Sequence, residues 1–152
     1  MMQWFHNLVN RLRNALLVWR CPFAKPHALD GGNIPGYDYS YTFADSYPDG
    51  WKHVARKYFA RIGKVLARYG ETGSFTITDA KEKYGEARLY YYGCSEKCAS
   101  EIDDIIRDFE DETGHTCCNC GRKADVVTYG YVLPFCNGCA NKLGFTNIRS
   151  II

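Results

Sequence analysis

Four cysteines near the C-terminal end of the sequence have the spacing of a metal site. Two residues separate Cys117 from Cys120 and Cys136 from Cys139, and fifteen residues lie between the two pairs. Four thiolates at this spacing can surround one zinc ion tetrahedrally. Because four cysteine ligands leave no position open for water, we expect one structural Zn²⁺ here.

The other cysteines offer a second, weaker possibility for metal or thiol chemistry. Cys94 and Cys98 lie four residues apart near a predicted helix start, and either His115 or Cys118 could complete a second metal site with them. The alternative is ordinary packing, with Cys98 as a small core residue and Cys94 in a turn. We favour packing, because it is the commoner use of a buried cysteine.

No catalytic set accompanies these cysteines. The four histidines lie in separate segments, and none occurs between Gly121 and Cys136. Treble-clef endonucleases combine similar cysteine pairs with a histidine general base, which this segment lacks. The sequence also contains no glycine-rich phosphate loop. We therefore predict that the protein is not an enzyme.

Two amphipathic helices are predicted upstream of the cysteine pairs. One spans 51–69, with Asp49 as its N-cap and Gly70 at its C-terminal end. The other spans 95–113 and has an apolar stripe on one face and many acidic side chains on the other. Apolar residues recur at three- and four-residue steps in both segments, which is the helical period.

The remaining predicted elements make the fold α+β. Residues 74–78 and 86–92 alternate polar and apolar side chains, as strands do, and 79–85 is predicted to be a charged loop between them. Residues 125–135 predict a hairpin between the cysteine pairs, and 140–143 a short helix. The whole is a small antiparallel sheet with packed helices and a C-terminal zinc ribbon or treble-clef-like pair of cysteine knuckles.

Residues 1–20 predict an amphipathic helix with a broad apolar face. That face consists of Trp4, Phe5, Leu8, Val9, Leu12, Leu16 and Trp19. We expect it to dock on the rest of the protein. The alternatives are a partner-binding helix, self-association and a membrane-surface helix, the last disfavoured because few cations lie on the polar face. The chain then divides into this helix, an irregular aromatic-rich linker over 21–48, an α+β core over 49–114 and a zinc-binding segment over 115–152.

Charge is distributed unevenly along the chain, although the formal net charge is only +2. Residues 1–70 contain ten basic and four acidic side chains, whereas 71–116 contain five and twelve. A basic stripe on the 51–69 helix and two residues of the first knuckle could contact nucleic-acid phosphates or a protein partner; these are Lys57, Arg61, Lys64, Arg68, Arg122 and Lys123. The stripe could equally pair with the acidic helix of the same protein.

The sequence favours a cytoplasmic protein without membrane contact. The longest apolar runs are about five residues, against about 20 needed to span a bilayer. Arginines interrupt the apolar residues near the N-terminus, and no cleavage pattern of a secretory signal follows them. In the cytoplasm, unpaired cysteines are more often metal ligands than disulfides.

Three segments in a fixed order resemble a family of small bacteriophage, prophage and mobile-element proteins. They are a helix start at Asp49-Gly50-Trp51, the segment Lys-Glu-Lys-Tyr-Gly-Glu-Ala-Arg-Leu-Tyr-Tyr over 81–91, and the C-terminal cysteine pairs. The resemblance covers about residues 49–140. It implies a zinc-binding phage protein but no catalytic residue. A protein of this kind would bind a host or phage protein, such as transcription machinery or an antiviral defence factor.

Overall fold

The structure, a computed structural model, describes residues 1–151 and confirms the α+β fold class. The described part has four α-helices and five strands; in chain order they are α1 Met2–Arg20, α2 Lys52–Tyr69, β1 Thr76–Lys83, β2 Glu86–Tyr92, α3 Glu96–Gly114, β3 Val126–Thr128, β4 Pro134–Phe135, α4 Asn137–Lys142 and β5 Ile148–Ser150. Strands β1 and β2 form one antiparallel pair, and a three-stranded antiparallel sheet has the order β4-β3-β5.

The β1–β2 hairpin is longer than predicted, so the expected loop over 79–85 is wrong. Strand β1 continues to Lys83, which pairs with Glu86 across a two-residue turn. Tyr84 and Gly85 form this turn, with φ values of 56° and 81°, as turns that match strand twist require. Charged side chains at alternate positions of this segment point to solvent, whereas Ala80 is buried. A charged sequence is therefore compatible with a strand that has one solvent-exposed face.

Helices α2 and α3 pack against each other and against the hairpin to make the core. Their largest fully buried side chains are Phe59, Ile62 and Leu66 on α2 and Ile102 and Phe109 on α3. The Phe109 ring stacks on Tyr58, with ring centroids 5.1 Å apart.

The two predicted caps of α2 have different outcomes. Gly70 has a left-handed backbone, φ 70°, and ends the helix as predicted. Asp49 is not the N-cap, because a 3₁₀ turn over Asp49–Trp51 precedes α2. The Asp49 carboxylate instead pairs with Lys52 Nζ at 2.6 Å.

Residues 21–48 are irregular, and the aromatic segment within them is a loop. Tyr39 has φ 62°, which interrupts an extended conformation over 37–43. The region still contributes to the core through Phe23, Ala44 and Tyr47. The buried part of the cysteine segment belongs to this same hydrophobic core; the last residue assigned to that segment, Ile152, lies outside the described residues.

Candidate functional site

The four C-terminal cysteines converge as the spacing predicts and lie close enough to hold a metal ion. All four sulfur atoms of Cys117, Cys120, Cys136 and Cys139 lie within 4.8 Å of one another. The Cys120 and Cys136 sulfurs are 3.7 Å apart. A tetrahedron with Zn–S bonds of about 2.3 Å has edges of about 3.8 Å, whereas a disulfide bond measures about 2 Å. The distances therefore fit four ligands of one ion, and all four cysteines are free thiols.

Local backbone hydrogen bonds shape the first cysteine pair. The Gly121 N–H donates to the Cys117 carbonyl at 2.9 Å, and the Cys117 N–H donates to the Arg122 carbonyl at 2.7 Å. Gly121 has φ 78°, as expected for a tight knuckle. The neighbouring Cys118 N–H donates to the Pro134 carbonyl at 2.9 Å, which ties the knuckle to β4.

The second cysteine pair lies at the start of α4. Cys136 is the N-cap residue of this helix, and its sulfur accepts the Cys139 N–H at 3.4 Å. The helix therefore begins at Asn137, three residues before the predicted start at Ala140. Gly138 lies inside the helix and has no left-handed backbone.

The surroundings shift the pKa values of two of the four thiols in opposite directions. Hydrogen bonds from the backbone and side chain of Arg122 lower the pKa of Cys120 to about 6. Asn119 donates a hydrogen bond to the Cys139 sulfur at 3.2 Å, but burial and the hydrogen-bonded cysteines around it outweigh this, so the pKa of Cys139 rises to about 11. A divalent ion bound by the four sulfurs would displace the thiol protons.

The Asp49–Trp51 turn fixes the first knuckle to the core. The Gly50 N–H donates to the Cys118 carbonyl at 2.8 Å. A methyl group at Gly50 would lie only 2.2 Å from the Cys117 carbonyl oxygen, so only glycine fits this approach. The buried Trp51 indole donates to the Thr116 carbonyl at 2.8 Å. The Asp-Gly-Trp motif is visible in the sequence, but its packing role depends on tertiary contacts that the sequence does not show.

The hairpin tip contacts the cysteine segment from a second side. Glu82 accepts the Gly85 N–H at 2.8 Å with one carboxylate oxygen and the Tyr131 hydroxyl with the other. The Gly85 backbone lies against Val132. The segments at 49–51 and 81–91 are therefore both packing surfaces for the cysteine segment.

The second predicted cysteine cluster forms with a different third member. Glu71, Cys94 and Cys98 place their carboxylate and sulfur atoms within 4.8 Å of one another. His115 and Cys118, the predicted additional ligands, are not in this group. His115 Nδ1 lies 2.8 Å from the Asp111 carbonyl oxygen, and Cys118 is buried beside the first cluster.

The basic stripe of α2 lies against the acidic face of α3. Lys57 pairs with Glu112 at 2.5 Å, Arg61 pairs with Asp108 at 2.9 Å, and Arg68 pairs with Glu101. All three pairs are solvent-exposed and each stabilises the fold little. Of the six predicted contact residues, the three left outside these pairs are Lys64, Arg122 and Lys123.

Helix α1 turns its apolar face to solvent, so the expectation that this face docks on the protein is wrong. Trp4, Leu12 and Trp19 are 68%, 63% and 78% exposed, whereas Asn14 and Leu17 are the buried residues of the helix. At about 100° per residue, the apolar face is centred opposite these two residues. The opposite side of α1 docks instead, through the buried Leu17 and through the Asn14 amide, which donates to the Tyr39 carbonyl at 3.0 Å.

Comparison of the chain with protein families, curated proteins and solved structures finds no match. Within residues 1–151, none of the helices has the length and apolar character needed to cross a bilayer.

Proposed function

We propose that the protein is a non-catalytic zinc protein that binds another protein through the apolar face of α1. The observation that carries the proposal is the exposure of this face, which points away from the core instead of into it. Large contiguous apolar patches are uncommon on proteins that have no partner. Tryptophan and other aromatic side chains at the centre of such patches are frequent anchors of protein interfaces.

The proposed zinc site is structural, with Cys117, Cys120, Cys136 and Cys139 as ligands of one ion. The first cysteine knuckle is followed along the chain by the β3–β4 hairpin and then by α4. This order supports a zinc ribbon or a treble-clef-like arrangement. The ion would link the two cysteine pairs and stabilise a segment with little regular structure. The ligand set contains only thiolates, which bind Zn²⁺ strongly.

The charge of the N-terminal region indicates what kind of partner fits α1. Helix α1 contains three basic side chains, Arg11, Arg13 and Arg20, and no acidic one; Arg11 pairs with Asp38 at 2.7 Å. Two copies paired through α1 would therefore bring like charges together without compensating interhelical pairs. A protein with an apolar groove and an acidic rim complements this helix better. Self-association remains the alternative that an experiment must separate from this proposal.

The resemblance to phage and prophage proteins extends the proposal to origin and setting. In that case the partner is a host or phage protein in the cytoplasm of the infected cell, such as a transcription or antiviral defence factor, and no membrane takes part.

Nucleic-acid binding is the alternative function, and the structure removes much of its support. The predicted phosphate-binding stripe on α2 is largely paired with α3. The other predicted contact residues lie on different segments, with Lys64 on α2 and Arg122 and Lys123 beside the first knuckle. A phosphate-binding surface needs several unpaired cations that act together.

Site-specific photo-cross-linking tests the proposal. A photoreactive amino acid replaces Leu12 on the apolar face or, as the control, Leu29, which is fully exposed outside α1. In bacteria that produce the protein, we expect one discrete protein adduct from position 12 that position 29 does not give. An adduct of the protein with itself would indicate self-association and contradict the proposed partner.

Fluorescence anisotropy with duplex DNA, single-stranded DNA and RNA tests the alternative function. We expect no micromolar binding at moderate salt. Salt-sensitive binding that disappears in an Arg61→Gln, Lys64→Gln double variant would instead favour the nucleic-acid function.

A further inference from the structure

We propose that Glu71, Cys94 and Cys98 form a second metal site, which takes a thiophilic divalent cation such as Zn²⁺. This inference goes beyond the proposed function and does not depend on it. It revises the interpretation of Cys94 and Cys98 as packing residues, because the structure adds a carboxylate ligand that the sequence did not connect with them. Two thiolates and a carboxylate are a ligand set that Zn²⁺ accepts.

Three separate segments bring the ligands together. Glu71 follows the C-terminal end of α2, Cys94 lies between β2 and α3, and Cys98 lies in the first turn of α3. The carboxylate and the two sulfurs all lie within 4.8 Å of one another. Tetrahedral coordination with bonds of about 2.0–2.3 Å needs ligand atoms about 3.3–3.8 Å apart, so each pair of ligand atoms must approach by at most about 1.5 Å to close the site.

A glycine sets the approach of two of these segments. Gly93 has φ 94°, and a methyl group there would lie 1.9 Å from the Ser74 carbonyl oxygen. Only glycine allows the chain before Cys94 to lie this close to the loop that begins at Glu71. The backbone therefore holds the ligand segments together before any ion binds.

The Glu71 carboxylate is already oriented towards the cysteines. One of its oxygens, Oε2, accepts the Ser95 N–H at 2.6 Å, while the Glu71 N–H donates to the Leu66 carbonyl at 2.9 Å. The second carboxylate oxygen remains to bind an ion.

Further acidic groups make this region favourable for a cation. Asp103 on α3 acts electrostatically on Cys94 and Glu101 acts on Cys98, although Arg68 already pairs with Glu101. Each carboxylate is held by a tyrosine, because Tyr69 donates to Glu101 and Tyr91 to Asp103, both at 2.6 Å. A divalent ion would offset the negative charge of Glu71 and Asp103.

The charge balance and the exposure of the site distinguish it from the four-cysteine cluster. Binding of one divalent ion releases one proton from each thiol, so that two thiolates and one carboxylate surround two positive charges. Three protein ligands leave one position of a four-coordinate ion for water. Cys94 and Glu71 are partly exposed while Cys98 is buried, so that position faces solvent and we expect the ion to exchange more readily than in the cluster.

Metal counting and Co²⁺ spectroscopy on the full chain test the site. We expect the reduced protein, dialysed against buffered Zn²⁺, to hold two zinc ions per chain, and a Cys94→Ser, Cys98→Ser double variant to hold one. Co²⁺ added to the protein that carries one zinc should give a thiolate-to-cobalt absorption band that the double variant lacks. The matched control is Cys21→Ser, which removes a buried cysteine outside both clusters and should bind two ions.

A Glu71→Gln variant separates metal binding from folding. Glutamine can still accept the Ser95 N–H, so the melting temperature of the protein without an ion at this site should change little. The affinity of the site for Co²⁺ should fall at least about tenfold. The proposal is overturned if wild-type protein holds one zinc ion only, or if the cobalt band persists in the Cys94→Ser, Cys98→Ser variant. A disulfide between Cys94 and Cys98 whose reduction adds no metal binding would also overturn it.

Discussion

Replacing Gly50 by alanine tests how the first cysteine knuckle is held against the core. The new methyl group would lie 2.2 Å from the Cys117 carbonyl oxygen and 2.7 Å from both the Cys118 carbonyl carbon and the Gly121 nitrogen. Ordinary contacts of such a carbon begin at 3.4 Å. Because all three contacts are backbone atoms, the knuckle itself must move by about 1 Å to accommodate the methyl group.

The expected destabilisation follows from this displacement. Overpacking costs about 1–3 kcal/mol, and loss of the 2.8 Å hydrogen bond from Gly50 to Cys118 costs about 1 kcal/mol. The lower entropy of an unfolded chain with alanine returns about 0.4–1 kcal/mol. The net loss is about 1–3 kcal/mol, which for a protein of this size lowers Tm by about 2–12 °C.

Thermal unfolding of zinc-loaded protein, together with zinc affinity by chelator competition, measures the effect. The matched control is Gly138→Ala, inside α4 between two of the cysteine ligands, where a methyl group would meet nothing within 4 Å. Alanine there should stabilise the helix by about 0.5–1 kcal/mol. A Gly50→Ala protein that melts at or above the wild-type temperature, with unchanged zinc affinity, would refute the proposed packing.

Three further changes test other contacts. Trp51→Phe removes the donor to the Thr116 carbonyl and should lower the free energy of unfolding in urea by about 2 kcal/mol; an unchanged midpoint would contradict this. Cys136→Ser should remove one metal equivalent and the hydrogen-exchange protection of residues 115–151, and full zinc content with an unchanged melting curve would show that the ligand assignment is wrong. Burial raises the pKa of Glu112, but hydrogen bonding led by Lys57 outweighs it and the net pKa is lowered. The stabilisation by charged Glu112 is therefore present at neutral pH and is lost as pH falls through the pKa of Glu112 in the folded protein. The difference in Tm between the wild type and Glu112→Gln should therefore shrink between pH 7 and pH 3. A difference that stays constant would contradict a stabilising pair between Lys57 and Glu112.

Features that depend on local spacing were predictable from the sequence. The cysteine cluster follows from two short knuckles, and α2 and α3 follow from their helical periods and from Gly70. A charged segment such as 79–85 does not reveal a strand, because one face of the hairpin is wet and accepts charge.

Features that depend on tertiary contacts were not predictable. An apolar stripe does not show whether it faces the core or solvent, and for α1 the side that carries Asn14 and Leu17 packs against the protein instead. Glu71 is 23 residues from Cys94 in the sequence, and only the close approach at Gly93 brings the two together.

Calorimetry with the purified partner, once cross-linking has identified it, tests whether the protein binds that partner through the apolar face of α1. Leu12→Glu removes an apolar side chain that is 63% exposed, and Leu29→Glu makes the same change at a fully exposed position outside α1. Both variants should fold as the wild type does. Burial of one leucine is worth about 1.5–3 kcal/mol, so Leu12→Glu should weaken binding at least about tenfold while Leu29→Glu leaves Kd unchanged. Equal affinities of the two variants for the partner would contradict binding through the apolar face of α1.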